Sequence, residues 1–335
     1  MGVGEARRPW AARAGAAMLR LVLALVLLLV VLLLILRGAA AWRERGARAP
    51  AETAYFATPL GKVAARVTGP ADGQPIVLVH GTAAWSGFWS EISAHLAQQG
   101  WRVVAVDLPP FGWSEHDEQA RYDRTSQAER LSSVVASLGR PPIVLGHSFG
   151  AGPVTELSLR HPNQLKGIVL VDAALGEPDP QSEATAAKVL KAEPVAQLVA
   201  ATTITNPPAL EPFLRSMIYR KDTAHRWIEI LRQPMARAGT TSASAAWLPN
   251  LFTKQDGAWS RQSARLSAMR VPVALIWGAE DTVTPLPQGQ RIRTLTRARS
   301  LQVLPGVGHI PHIEDPQAFQ AALDRSLGDL TKGER

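Results

Sequence analysis

The sequence predicts an α/β protein built on a mostly parallel eight-stranded sheet, with a helical insertion and an N-terminal transmembrane helix. Three observations predict it. Short Val/Ile/Leu runs alternate with longer amphipathic stretches from about residue 54. That alternation stops over 176–266, where no comparable run occurs, and then resumes. Near the N-terminus, sixteen apolar residues (21–36) follow one another without interruption.

The 335 residues, 46% hydrophobic and without cysteine, are enough to bury a core, which excludes disorder and a disulfide-stapled miniprotein. The net charge of +8 is unevenly placed. Residues 1–50 hold eight arginines against Glu5 and Glu44, a net +6, and the other 285 residues carry only +2. The basic character therefore belongs to the tail, and the lack of a basic stripe elsewhere argues against a nucleic-acid partner.

As a helix, residues 21–36 would cover about 24 Å, slightly less than a ~30 Å hydrocarbon core. Met18 and Leu19 lengthen the stretch, because Arg20 can lift its guanidinium toward the headgroups. Residues 1–50 are thus read as a basic tail with a single spanning anchor at about 18–36, in contact with membrane lipid. A cleaved secretory signal is the competing reading, supported by Ala39-Ala40-Ala41. Four arginines flank each side, so the positive-inside rule gives no orientation. The shortness of the tail favours a main domain outside the cytoplasm.

The globular part follows in order. Extended stretches at 55–58 and 62–68 meet at Pro59-Leu60-Gly61, which reads as a hairpin turn. Runs at 76–79, 103–106, 143–145 and 168–171 are rich in Val, Ile and Leu, as expected of parallel strands buried on both faces. Helical segments at 87–99, 124–138 and 149–160 separate them. Within the insertion, 183–201 and 223–238 read as helices, with prolines at 194, 207, 208, 212 and 234 interrupting or bounding them. Strands at 273–277 and 301–304 and a helix at 316–327 complete the core, which comprises 54–175 and 267–330 around the insertion. Ligands in such sheets gather beyond the carboxyl ends of the strands.

One such end carries Gly146-His147-Ser148-Phe149-Gly150, placed between a strand and a helix. This is the setting of a nucleophile elbow, in which flanking glycines let a strained serine project above the sheet. A serine needs a base. His309 and His312 follow the last strand, and Glu280 and Asp281 follow the strand at 273–277. Nucleophile, acid and histidine then occur in the chain order expected of such a triad. Asp172, at the end of another strand, is an alternative acid or polar support.

With these motifs the sequence resembles the α/β-hydrolase family over residues 54–328. The resemblance also rests on His80-Gly81-Thr82, Asp107-Leu108-Pro109-Pro110-Phe111-Gly112-Trp113-Ser114, Trp277-Gly278-Ala279-Glu280-Asp281 and Gly308-His309-Ile310-Pro311-His312-Ile313-Glu314. It implies the α/β-hydrolase fold, with Ser148 as nucleophile, Asp281 rather than Glu280 as acid, His309 rather than His312 as base, and 176–266 as a helical cap. Pro110 departs from the pattern, where glycine is more usual.

The same geometry would make an oxyanion hole from the backbone N–H groups of Phe149 and Thr82. His80 is read as holding its loop, and His147 as packing beside the serine. His225 has Glu229 one helical turn on but no third ligand, so no metal site is expected. No phosphate-binding glycine loop follows a strand, so no cofactor is expected. Trp85, Phe88, Trp89, Phe111, Trp113 and Phe149 cluster around the motif loops, and Trp85 and Trp113 are expected to line an apolar substrate pocket. The expected activity is membrane-anchored serine hydrolysis of a carboxylic ester or related small-molecule acyl compound, the partner being apolar. C–C bond hydrolysis or cofactor-free perhydrolysis would use the same triad, and a non-catalytic binding protein of this fold would differ in class.

Overall fold

The computed structural model describes residues 9–176, 185–253, 255 and 257–331. Residues 1–8 of the basic tail and positions 183–184, where the first insertion helix is expected to start, lie outside the described residues. Helix α1 (Pro9–Arg43) runs unbroken through the apolar segment and extends past both ends of the 18–36 span expected for it. From Ala14 to Arg43 it is long and apolar enough to cross a membrane, and none of its most apolar 18-residue stretch is buried in the protein.

Eight strands form one sheet: β1 (Ala54–Phe56), β2 (Val63–Thr68), β3 (Gln74–Val79), β4 (Trp101–Val106), β5 (Ile143–His147), β6 (Gly167–Val171), β7 (Val273–Gly278) and β8 (Ser300–Leu304). Their spatial order is β1-β2-β4-β3-β5-β6-β7-β8. Only the first pairs, β1 with β2 and β2 with β4, are antiparallel. From β4 to β8 every pairing is parallel.

The strands read as continuous apolar runs because both faces are covered. Val77, Val79, Val144, Ile168, Leu170 and Leu275 belong to one core cluster. Their neighbours in sequence, Ile76, Leu78, Ile143, Val169 and Ile276, belong to the other, so the period-two alternation is apolar on both sides. Helices α3 (Arg124–Ala136) and α4 (Ala151–Arg160) cover the first face, and α2 (Ser90–Gln98) the second. At the N-terminus of α3, Asp123 Oδ1 accepts the N–H groups of Thr125 and Ser126, each at 3.0 Å.

After β6 the described residues of the insertion form α5 (Thr185–Leu190), α6 (Glu193–Thr202), α7 (Pro207–Met217), α8 (Ala224–Arg232) and α9 (Thr240–Trp247), with α10 (Ser263–Ser267) following before β7. The stretch expected as one helix over 183–201 is thus two, separated just before Glu193-Pro194. Helix α7 has no counterpart among the expected elements, because its prolines read as boundaries. Pro207 and Pro208 instead occupy the first turn, where no intrahelical N–H donor is required. The core closes with α10 (Ser263–Ser267), α11 (Leu286–Thr296), α12 (Pro311–Glu314) and α13 (Pro316–Thr331).

Candidate active site

The site is assembled from the loops that leave β3, β5, β7 and β8 at their carboxyl ends. Ser148 sits directly after β5 with φ +50°, in the left-handed region that costs a non-glycine residue roughly 1–2 kcal/mol. The flanking glycines make that turn possible. A Cβ on Gly150 would lie 2.3 Å from the His80 carbonyl oxygen, and one on Gly146 would lie 2.9 Å from the Ala151 Cα. The serine is consequently held against the β3 loop, where a Cβ on Gly81 would lie 2.9 Å from the Ser148 Cβ.

Ser148 Oγ lies 2.8 Å from His309 Nε2, and His309 Nδ1 lies 2.8 Å from Asp281 Oδ2. All three side chains are buried. Asp281 Oδ1 accepts the N–H groups of Val283 at 2.7 Å and Thr284 at 2.9 Å, and the Thr284 hydroxyl donates to Oδ2 at 2.6 Å. Burial pushes the Asp281 carboxyl up, but the His309 bond and the Thr284 donors outweigh it and leave it below the ordinary carboxylate range. An ionised acceptor therefore faces Nδ1. Nδ1 carries the proton that points at it, and Nε2 is left as the acceptor for the serine hydroxyl.

His309 is placed from two sides. Its N–H donates to the Met217 carbonyl at 3.1 Å, which ties the β8 loop to the end of α7. Glu314 holds the same loop: its Oε2 accepts from Gly308 at 2.9 Å and Tyr219 at 2.8 Å, and its Oε1 from Ile310 at 3.1 Å. Thr284 and Glu314 were not among the expected site residues. Thr284 follows Asp281 by three positions, a spacing that suits local hydroxyl-to-carboxylate bonding. Glu314 is local to Gly308 and Ile310, but its tie to the insertion had no such signal, because Tyr219 is 95 residues away.

Thr82 lies on the wall of a narrow apolar cavity beside Ser148, together with Ala84, Phe88, Leu210, Phe213, Leu214 and Met217. Phe149 follows the serine, its ring packed edge-on to Trp247 at 5.0 Å between centroids. Trp85 and Trp113 are not brought to this cavity. They pack against each other edge-to-face, 6.3 Å between centroids, and Trp85 Nε1 donates to the Ile230 carbonyl at 2.7 Å.

The model for the α/β hydrolase fold matches residues 74–316, well over half of the chain. The chain belongs to the α/β-hydrolase family. It is 27% identical over 256 residues to a pimeloyl-[acyl-carrier protein] methyl ester esterase of Neisseria meningitidis, covering 75% of this chain and 76% of that protein. Among solved structures, a membrane phospholipase A superposes with a TM-score of 0.66 at 22% identity, over 96% of this chain and 99% of that one. The 2-hydroxy-6-oxo-6-phenylhexa-2,4-dienoate hydrolase of a Rhodococcus strain superposes with a TM-score of 0.66 at 19% identity, over 83% of this chain and 99% of that one. The protein is accordingly a hydrolase of this family.

Several other polar groups of this hydrolase are held by structural contacts. His80 Nδ1 lies 2.7 Å from the Gly81 carbonyl and its Nε2 accepts the Leu108 N–H at 2.9 Å, which fixes a neutral tautomer. Burial lowers its pKa to about 4. His147 Nε2 donates to the His309 carbonyl at 2.8 Å, and burial and the nearby His309 lower its pKa to about 3. His312 stacks on Trp89 at 4.1 Å. Asp107 accepts from Ser86 at 2.6 Å and Trp113 at 2.8 Å, joining the β3 and β4 loops. Asp172 accepts the Gly278 N–H at 2.8 Å, and burial beside Asp281 holds its carboxyl well above the ordinary range. Asp172, Asp281 and His309 form the one grouping among the described residues with a metal-ligand composition, their ligand atoms within 4.8 Å. Two of those atoms already bond each other.

Proposed function

We propose that this α/β-hydrolase is a membrane-anchored serine esterase that cleaves apolar carboxylic esters through an acyl-enzyme. The observation that carries this reading is the chain of two 2.8 Å contacts from Ser148 Oγ through His309 to Asp281. His309 Nε2 takes the hydroxyl proton as Ser148 Oγ attacks the ester carbon, and the imidazolium formed is stabilised by Asp281. The oxyanion lies against the N–H groups of Thr82 and Phe149, a donor of this kind contributing about 3 kcal/mol in the transition state. His309 then returns the proton to the departing alkoxide, which leaves as the alcohol. Water, deprotonated by the same Nε2, attacks the acyl-enzyme, and Ser148 recovers its proton as the carboxylic acid departs.

The lining of Ala84, Phe88, Leu210, Phe213, Leu214 and Met217 supports an apolar acyl group. Helix α1 supports the anchor, and the membrane phospholipase A with the same fold is a precedent for carrying it at a bilayer.

The test is turnover of p-nitrophenyl esters of graded acyl length by detergent-solubilised full chain. The expected result is turnover that rises with acyl length and falls to background in Ser148→Ala. Equal turnover by both proteins would remove Ser148 from the reaction.

A further inference from the structure

We infer that the face of the insertion formed by α5, the start of α6 and the Leu251-Phe252 corner is seated in the interface of the lipid bilayer that α1 crosses. This rests on the reading of α1 as a spanning anchor and adds where the catalytic domain sits on it.

Helix α1 does not reach the domain through a linker. It packs along α6, and Leu33, Leu36, Arg37 and Ala40, one stripe at helical spacing, are its covered residues, Ala40 almost completely. Arg37 Nε donates to Gln197 Oε1 at 2.9 Å, and farther on Arg43 donates to the Thr205 carbonyl. Glu44 accepts from the Thr241 N–H at 2.9 Å, and Ala47 donates to the Ala236 carbonyl at 3.3 Å. Arg37 meets Gln197 within α6 and Arg43 meets Thr205 three residues beyond its end, so α1 and the chain through α6 run in the same direction. Counted back four residues from the first tie, Leu33 stands level with Glu193 at the start of α6.

Span length then fixes the depth. If the bilayer ends where α6 begins to cover α1, the apolar helix from Ala14 to Leu32 crosses it over about 28 Å at 1.5 Å per residue, close to a ~30 Å hydrocarbon core. The start of α6 therefore stands at the boundary of that core, at the depth of the interface.

The side chains at that level suit an interface. Val189 on α5 is 53% exposed, Val195 on α6 37%, Leu251 37% and Phe252 41%, on elements that pack against one another. Lys188 is exposed on the same segment, where anionic headgroups would meet it, and Glu193 is engaged by Gln197 at 2.9 Å. Trp42, 70% exposed on α1, is of the residue type that concentrates at headgroup depth. Apolar side chains continuous with a membrane span find their cover in the lipid beside it.

The chain contains no cysteine, so single Val189→Cys, Phe252→Cys, Leu29→Cys and Val67→Cys variants can each carry one environment-sensitive NBD fluorophore. Each is reconstituted as full-length protein into phosphatidylethanolamine/phosphatidylglycerol vesicles with or without nitroxide-labelled lipid. The expected result is quenching by about twofold or more at positions 29, 189 and 252, with none at position 67 on β2. Quenching at 29 with 189 and 252 as dark to the nitroxide as 67 would overturn the seating while leaving the anchor intact. Blue-shifted but unquenched labels at 189 and 252 would mean that a second copy covers the face, which also overturns it. No quenching at 29 would refute the anchor itself, and the seating with it.

Discussion

Glu314 accepts the backbone N–H of Tyr219 at 2.8 Å, and through that bond the loop carrying His309 is fastened to the chain leaving α7. The same carboxylate takes the N–H groups of Gly308, Arg220 and Ile310. The insertion therefore does more than roof the cavity, since it helps to set where the histidine stands.

Replacing this carboxylate should separate stability from simple loss of a contact. Bonds to a charged acceptor contribute about 1.5–3 kcal/mol each, so Glu314→Ala should cost about 3 kcal/mol or more of stability. Glu314→Gln keeps the shape but turns an amide NH2 toward backbone donors, and it should lower kcat at least tenfold with a smaller change in KM. Thermal melts and ester kinetics check both. Hydrogen exchange at Tyr219 and Arg220 should rise in the variants.

Asp281→Asn is expected to leave the fold in place and reduce kcat by roughly 10⁴, because an amide neither fixes the Nδ1–H tautomer nor stabilises the imidazolium. Thr284→Val removes one 2.6 Å donor to the same carboxylate and should cost roughly tenfold. Steady-state kinetics on one ester, with circular dichroism as the control for folding, measures both effects.

Acid should unfold the protein early. His80, with a folded pKa of about 4, and His147, at about 3, are buried neutral, whereas in the unfolded chain each titrates near 6.5. Between those values the unfolded state binds more protons, so the stability these two contribute is present above pH 6.5 and lost as pH falls toward 4 and then 3. Asp107 works in the opposite sense. Burial raises its pKa to about 6 from 3.8, so its contribution is present below 3.8 and lost as pH rises through about 6. His116, lowered by burial to about 4, and His312, also lowered by burial, act with these two, while Asp172, held well above its ordinary value, acts with Asp107; the four imidazoles prevail over the two carboxyls. The melting temperature should fall steadily from pH 7 to pH 4.5, and a flat profile would contradict the burial of these imidazoles.

The elbow admits little substitution. Gly150→Ala would put a Cβ 2.3 Å from a backbone carbonyl, an atom that cannot move aside as a flexible side chain can. Loss of several kcal/mol of stability, or failure to fold, is expected in a denaturant titration. On the opposite wall, Leu214→Trp should shift ester preference toward shorter acyl groups, read as kcat/KM across a chain-length series, at a stability cost of about 1–3 kcal/mol because Leu214 is packed in a core cluster.

Much of this architecture is legible in sequence because of how it is buried. Residues such as Ile76, Val77, Leu78 and Val79 face alternate helix layers, so an uninterrupted apolar run announces a central strand. The turn around Ser148 is legible because its glycines are required by close backbone approach. Aromatic residues were poorer guides. Trp85 and Trp113 stand beside motif loops in sequence, yet their rings turn toward each other, since proximity along a chain does not fix side-chain direction. Helix α7 was hidden by its own prolines, and the tie from Glu314 to the insertion by the 95-residue separation from Tyr219. Long-range polar clamps leave no local pattern.

The central claim is that Ser148 Oγ forms the covalent intermediate. Intact-protein mass spectrometry after treatment with a fluorophosphonate tests it most directly, with peptide mapping to locate the adduct. One adduct per chain is expected, on Ser148, with labelling abolished in Ser148→Ala and much slowed in Asp281→Asn. A folded wild-type protein that takes no label, or one labelled equally after Ser148→Ala, would contradict it.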